Sequence, residues 1–234
     1  VPYTRGAEYS RPVQEVIREA KILIDKGTKE LCLLGQNVNA YHGQSGKSNW
    51  SLARLIKEVA ELDGIKRIRY TTSHPSDMDD DLINTHGEVD ILMPHIHLPV
   101  QSGDNKVLKA MNRKYTADDY KRIIDKLRTI CPDIAVSSDF IVGFPGETDD
   151  DVRETIDFAK KIEADYYSLS VLAPYYGTKM YYDLIKQGVE LDKKPWEYFF
   201  HQTGELMVND KIKQSTLNEY LALNALNEKG KGYI

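Results

Sequence analysis

The residues able to hold a ligand fall into four groups, each at the end of an apolar run. Gln36, Asn37 and Asn39 follow "ELCLL", and Thr71, Thr72, Ser73 and His74 follow "RIRY". Gln101 and Ser102 follow "HLPV", while Ser137, Ser138 and Asp139 sit inside "IAVSSDFIVGF" just before Gly143. Amides, hydroxyls and a single carboxylate supply hydrogen-bond donors and acceptors with little charge, a set suited to orienting a polar organic molecule. Solvated loop residues would explain one such group; four in corresponding places ask for a common cause. His95 and His97 alternate and point the same way, as metal ligands can, but with no third ligand nearby they are expected to be buried structural histidines. Cys32 and Cys131 lie far apart, without the short spacings of a metal motif, and are expected as reduced, buried thiols. Arg5, Arg11, Arg113 and Lys114 could grip phosphates, although each alone also fits a solvated surface charge.

Those groups need strands to carry them. Five runs read as buried strands: 30–38, 67–75, 95–103, 134–144 and 166–174. Segments with helical spacing lie between them. In 11–27, Val13, Val16, Ile17, Ala20 and Ile24 share a face and Gly27 ends the helix; in 51–64, Ser51 caps the start and Gly64 closes. Helices are also expected over 104–113, 116–132 and 147–162, each with acidic residues in or near its first turn, where they favour the helix dipole. Alternating strands and helices argue for βαβ units around a parallel sheet. Ligands of such sheets and barrels bind at the C-terminal strand ends, where the polar groups gather. Beyond Pro174 the spacing turns helical, in 178–188 and 214–230, with an aromatic-rich turn near Trp196, Phe199 and Phe200 expected to be plain packing.

With 234 residues, 41% hydrophobic and 29% charged, the composition fits one soluble domain with a small appendage. A formal charge of −5 speaks against a self-sufficient RNA binder, so nucleic-acid binding would need a local basic patch or another module. No run of about 18 apolar residues occurs, and no membrane segment or signal peptide is expected, which makes the cytoplasm the default location.

The strings "LLGQNVNAY", "TTSHP", "LPVQSGDNKVLKAMNRKYT" and "SSDFIVGFPGET" resemble those of the radical S-adenosylmethionine (radical SAM) enzymes. More narrowly they resemble the tRNA methylthiotransferases, which convert N6-isopentenyl-adenosine in the anticodon loop to its 2-methylthio derivative. The likeness runs from Val1 to about Pro174, and "VPYTRG" with "SRP" reads as the family's segment just after its three cluster cysteines. It implies an α/β fold: a partial parallel (β/α) barrel over 1–174, its first strand missing, followed by a helical C-terminal extension over 175–234.

The resemblance also implies cofactors and roles. S-adenosylmethionine would lie above the strand ends, its ribose hydroxyls met by Asp139 and Ser138 or by Gln101 and Ser102, and its methionine amino group by Gln36 and Asn37. Ser73 would face cofactor or substrate. Gly143 and Gly146 around Pro145 would let the backbone approach the adenine closely, the plainer alternative being a strand-to-helix turn capped by Thr148 or Glu147. Arg5, Arg11, Arg113 and Lys114 would touch tRNA. In the family a CxxxCxxC loop holds a 4Fe-4S cluster, and the 5′-deoxyadenosyl radical abstracts hydrogen at adenine C2 before sulfur insertion. Cys32 and Cys131 cannot replace that loop, so the sequence as it stands is expected not to assemble the cluster and to be inactive as a fragment. Two other readings stay open: a cobalamin-associated radical enzyme of other specificity, suggested by the tail, and a non-catalytic α/β fragment that binds nucleosides. An unpaired edge beside "ELCLLGQNV" is expected to promote self-association.

Overall fold

In the computed structural model, residues 7–201 and 209–223 are described. In chain order they form α1 (Val13–Asp25), β1 (Glu30–Leu34), β2 (Gly43–Ser45), β3 (Ser48–Trp50), α2 (Leu52–Ala60), β4 (Arg67–Thr71), α3 (Asp80–Glu88) and β5 (His95–His97). There follow α4 (Asn105–Ala110), α5 (Ala117–Ile130), β6 (Ala135–Val142), α6 (Asp149–Ile162), β7 (Tyr166–Val171), α7 (Lys179–Lys186) and α8 (Gln214–Leu221). The chain divides into two compact units, one of residues 1–98 and 122–135, the other of 99–121 and 136–234.

The first unit is built on parallel pairing of β1 with β4, from Glu30 opposite Arg67 to Leu34 opposite Thr71. A further parallel bridge joins Ile68 to Leu92. Because side chains alternate along a strand, Ile68 and Tyr70 turn inward while Arg67 and Arg69 turn outward, both reaching Glu30. The expectation of fully buried strands is therefore corrected here: β4 buries one face and β1 only half-buries Leu31 and Leu33, Leu34 is 73% exposed and Cys32 is exposed rather than buried, with Cys131 half-buried. Leu52, Ile56 and Val59 of α2 and Leu82 and Ile83 of α3 fill the covered side. The helix ends follow their sequence signals. Gly27, at φ +94°, closes α1 with Gly27 N–H donating to Ile24 O and Thr28 N–H to Leu23 O, the paired bonds of a Schellman end. The Ser51 hydroxyl accepts from Arg54 N–H at the start of α2.

In the second unit β6 and β7 run parallel, from Ser137 opposite Tyr166 to Val142 opposite Val171. Phe140, Val142, Tyr167, Leu169 and Val171 are buried on one face, and Asp139, Ile141, Ser168 and Ser170 lie half-buried on the other. Thr148 starts α6 with a capping box: its side chain accepts from Asp151 N–H and the Asp151 carboxylate accepts from Thr148 N–H. Of the expected C-terminal helices, α7 begins on the Thr178 cap, and α8 packs on α6 through Arg153, which reaches Thr216 and Glu219. Tyr181, Leu191 and Phe199 form a small core beside α7, so that part of the aromatic-rich segment is packing, while Trp196 and Phe200 stay exposed. The expected helix beyond residue 223 lies outside the described residues.

Candidate functional site

In the first unit the exits of β1 and β4 are tied together by Val38 N–H donating to Thr72 O at 3.0 Å. Thr72 adopts φ +69°, a strained conformation for a β-branched residue, and strain of this kind collects where a chain is held for function. Asn37 donates to Asp77 Oδ2 at 2.7 Å, leaving its Oδ1 buried with no partner. The Ser73 hydroxyl is likewise buried and unpartnered. Asn39 clamps the loop by donating to His74 O and accepting from His74 N–H. Gln36 is exposed at the same exit. Two buried oxygens lacking partners are costly unless something completes them, so this end of the unit suits a polar ligand.

In the second unit Gln101 bridges to Phe140: its N–H donates to Asp139 O and its carbonyl accepts from Ile141 N–H. It does so at φ +78°, and its side-chain Oε1 is buried without a partner. Asp139 is half-buried one residue along β6. Gly143, buried and at φ +85°, opens the turn into α6. That turn is organised by Glu147, whose Oε2 accepts from Gly143 N–H at 2.7 Å and Phe144 N–H at 3.0 Å. Burial pushes the Glu147 carboxyl up to about 7 against the lowering effect of those two bonds. Its Oε1 has no partner.

Two expected ribose contacts are corrected. Ser102 is fully buried; its hydroxyl pairs with the Thr155 hydroxyl at 3.0 Å and accepts from Asp104 N–H, fastening the start of α4 to α6 instead of facing a ligand. Ser138 is also fully buried, accepting from Val100 N–H and meeting the Tyr120 phenol. Neighbours on a strand face opposite ways, so Ser138 and Asp139 cannot serve one ligand side by side. Of the cationic candidates, Arg11, just before α1, is held by Glu15 and Glu19 of that helix, Arg113 is half-buried, Lys114 is exposed, and Arg5 lies outside the described residues. His95 and His97 are half-buried rather than buried. The histidine that is buried is His86, which the sequence reading passed over; its Nε2 lies 2.7 Å from the Tyr70 hydroxyl, and burial holds it down at about 4. Glu147 was foreseen only as a possible cap of the turn; Asp77 and Asn209 were missed, Asp77 signalled only by its closeness to a strand end and Asn209 by nothing in the sequence.

The radical SAM superfamily model matches residues 1–159, and the chain belongs to that superfamily. Over 162 residues it is 58% identical to the tRNA-2-methylthio-N(6)-dimethylallyladenosine synthase of Jannaschia sp. (strain CCS1), a match covering 69% of this chain and 35% of the relative. It is 59% identical over 165 residues to the enzyme of that name from Bartonella henselae, covering 70% and 36%. The chain thus spans little more than a third of the length of these curated relatives. Among solved structures, it is similar to the radical S-adenosylmethionine methyltransferase TsrM from Kitasatospora setae, with cobalamin and a 4Fe-4S cluster bound. That match has a TM-score of 0.59 at 16% identity and covers 93% of this chain and 41% of TsrM, a likeness of fold alone.

The superfamily uses S-adenosylmethionine and a 4Fe-4S cluster. Asn37, Ser73 and Gln101 each carry a buried oxygen without a partner, and each such oxygen is of a kind that suits the polar groups of the first. For the second, no group of three His, Cys, Asp or Glu side chains among the described residues is placed to hold a metal. The described residues therefore do not fit the cluster.

Proposed function

We propose that this chain is the barrel portion of a radical SAM methylthiotransferase acting on tRNA, the 2-methylthiolation of N6-isopentenyl-adenosine. The observation that carries the reading is 58% identity over 162 residues to synthases of that reaction. In this reading residues 1–174 are the partial (β/α) barrel and 175–234 a helical extension. Gln36, Asn37, Ser73, Gln101, Asp139 and the Gly143 backbone are the groups proposed to orient S-adenosylmethionine. Ser102 and Ser138 hold those loops from behind. Arg5, Arg11, Arg113 and Lys114 are the candidates for tRNA phosphates, Arg11 only after release from its carboxylates. The residues' task is orientation and exclusion of water around a reactive intermediate. The cytoplasm is the proposed place of action; no described helix is long and apolar enough to cross a membrane.

Calorimetric titration of S-adenosylmethionine into the chain tests the strand-end assignment. One-to-one binding that weakens about tenfold in Asn37→Ala or Ser73→Ala, the usual scale for one buried hydrogen bond, is expected. Binding unchanged in both variants, or no binding by the parent chain, overturns it.

A further inference from the structure

The turn Gly143–Glu147 is held from inside by Glu147, and also from a second direction, by a residue more than sixty positions away. Asn209, 8% exposed, donates through Nδ2 to Phe144 O at 2.8 Å and to Glu147 O at 2.9 Å. Its Oδ1 accepts from Lys211 N–H at 2.8 Å, so every polar atom of the side chain is engaged and its orientation is fixed. The two carbonyls it binds bracket Pro145 and Gly146, the part of the turn that no Glu147 bond reaches. Gly146 sits at φ +89° with open space where a Cβ would stand, so nothing steric defines the loop there.

We propose that Asn209 is a positioning residue: from the C-terminal extension it sets the Phe144–Glu147 backbone against which, under the function proposed above, adenine is read. The inference rests on that reading for the identity of the ligand and on geometry alone for the latch. It gives the extension a part in the site that packing against α6 would not require. The latch is also separable from the rest of the extension. Lys213 N–H donates to Asp149 Oδ1, Arg153 reaches Thr216 and Glu219, and the Tyr220 hydroxyl reaches Phe140 O and Ser170, so α8 stays docked when Asn209 is changed.

The test compares the full chain with Asn209→Ala, Asn209→Asp and Tyr220→Phe. Asn209→Asp keeps the shape but turns a carboxylate toward two carbonyls; Tyr220→Phe weakens the same extension without touching the turn. The readouts are calorimetric affinity for adenosine against inosine, and amide exchange at Gly143 and Phe144. Adenosine affinity is expected to fall about tenfold in Asn209→Ala and further in Asn209→Asp, with preference over inosine lost, while Tyr220→Phe lowers the melting temperature and keeps the preference. Affinity and preference unchanged in both Asn209 variants overturn the proposal, as does a loss that merely follows melting temperature across all three. If the parent chain binds neither nucleoside, the functional reading fails, and exchange decides the latch by itself. Exchange at Gly143 and Phe144 faster by about tenfold in Asn209→Ala sustains it, and unchanged exchange rejects it.

Discussion

The two units bury opposite kinds of ionisable group, and in each burial disfavours the charged form. In the first, His86 lies against Tyr70 with its Nδ1 unpartnered, and burial, helped by His95, holds it near 4. In the second, Glu147 lies under the turn after β6, and burial, with Asp151 and Asp104 adding to it, raises it to about 7. Removing a charge from water is the same penalty in each case, but the protons move in opposite directions. The units should therefore answer pH with opposite signs.

For His86 the folded value lies below the ordinary 6.5, so the unfolded chain binds the proton first. Stability present above pH 6.5 is lost as pH falls toward 4, by about 3 kcal/mol at the full shift. For Glu147 the folded value lies above 4.5, so the folded chain keeps the proton longer. Its contribution is greatest below pH 4.5 and is lost as pH rises through 7, again by about 3 kcal/mol. Amide exchange followed from pH 4 to 8 separates the two, with Tyr70 reporting on the first unit and Leu169 on the second. Protection should rise with pH at Tyr70 and fall at Leu169. Glu147→Gln, which can still accept from Gly143 and Phe144 but cannot ionise, should flatten only the second trend. Parallel trends at both amides would break the comparison.

A smaller effect separates the ways in which the two sheets are tied down. In the second unit the Tyr220 hydroxyl accepts from Ser170 N–H and donates to Phe140 O at 2.8 Å, deep in the interior. Tyr220→Phe leaves those backbone groups short of a partner and should cost about 2 kcal/mol in denaturant unfolding. A loss below about 0.5 kcal/mol would mean that water or a neighbouring group takes over.

What the sequence made legible follows the same division. Alternation of apolar runs with helical spacing pointed to helices over 11–27, 51–64, 104–113, 116–132 and 147–162, which the structure has at 13–25, 52–60, 105–110, 117–130 and 149–162 with parallel strands between them, because periodicity and caps are local signals. The hairpin of β2 and β3 was not foreseen: its strands are three residues each and polar, with Gly46 at φ +61° in the turn. Nor was α3, where Leu82 and Ile83 are too few for a clear stripe, although Asp79 caps it and accepts from Leu82 N–H. At the candidate site, residue types located the strand ends but not the faces. Ser138 and Asp139 are neighbours in sequence and opposites in space, and Ser102 is spent on Thr155. Glu147 and Asn209 owe their importance to backbone groups brought near by the turn, which no spacing announces.

Helix starts offer a finer comparison. α2 begins on Ser51 alone, with a cap bond of 3.3 Å, whereas α6 begins on the reciprocal pair of Thr148 and Asp151, with bonds of 2.9 Å and 3.5 Å to the two backbone N–H groups. Thr148→Ala removes one of those acceptors and should cost about 1 kcal/mol; Ser51→Ala should cost about half as much. Thermal melts of the two variants check the ranking, and equal losses would show that the capping box adds nothing here.

The last contrast lies at a sheet edge. In the first unit β1 pairs with β4 and presents Cys32 and Leu34 to solvent, while Phe140 and Leu169 of the second are buried between their layers. A strand with unpaired backbone groups and an exposed leucine is a template for a second chain, so β1 should drive self-association as concentration rises. Leu34→Lys places a charge on that edge without removing a buried contact, and its effect on unfolding free energy should be within about 0.5 kcal/mol. Its effect on association should be large: light scattering at high concentration is expected to show oligomers for the parent chain and monomers for the variant. A monodisperse parent would mean that the edge is guarded by something other than pairing, and the twist of a two-stranded ribbon or the charges of Glu30, Arg67 and Arg69 on the same face would be the first place to look.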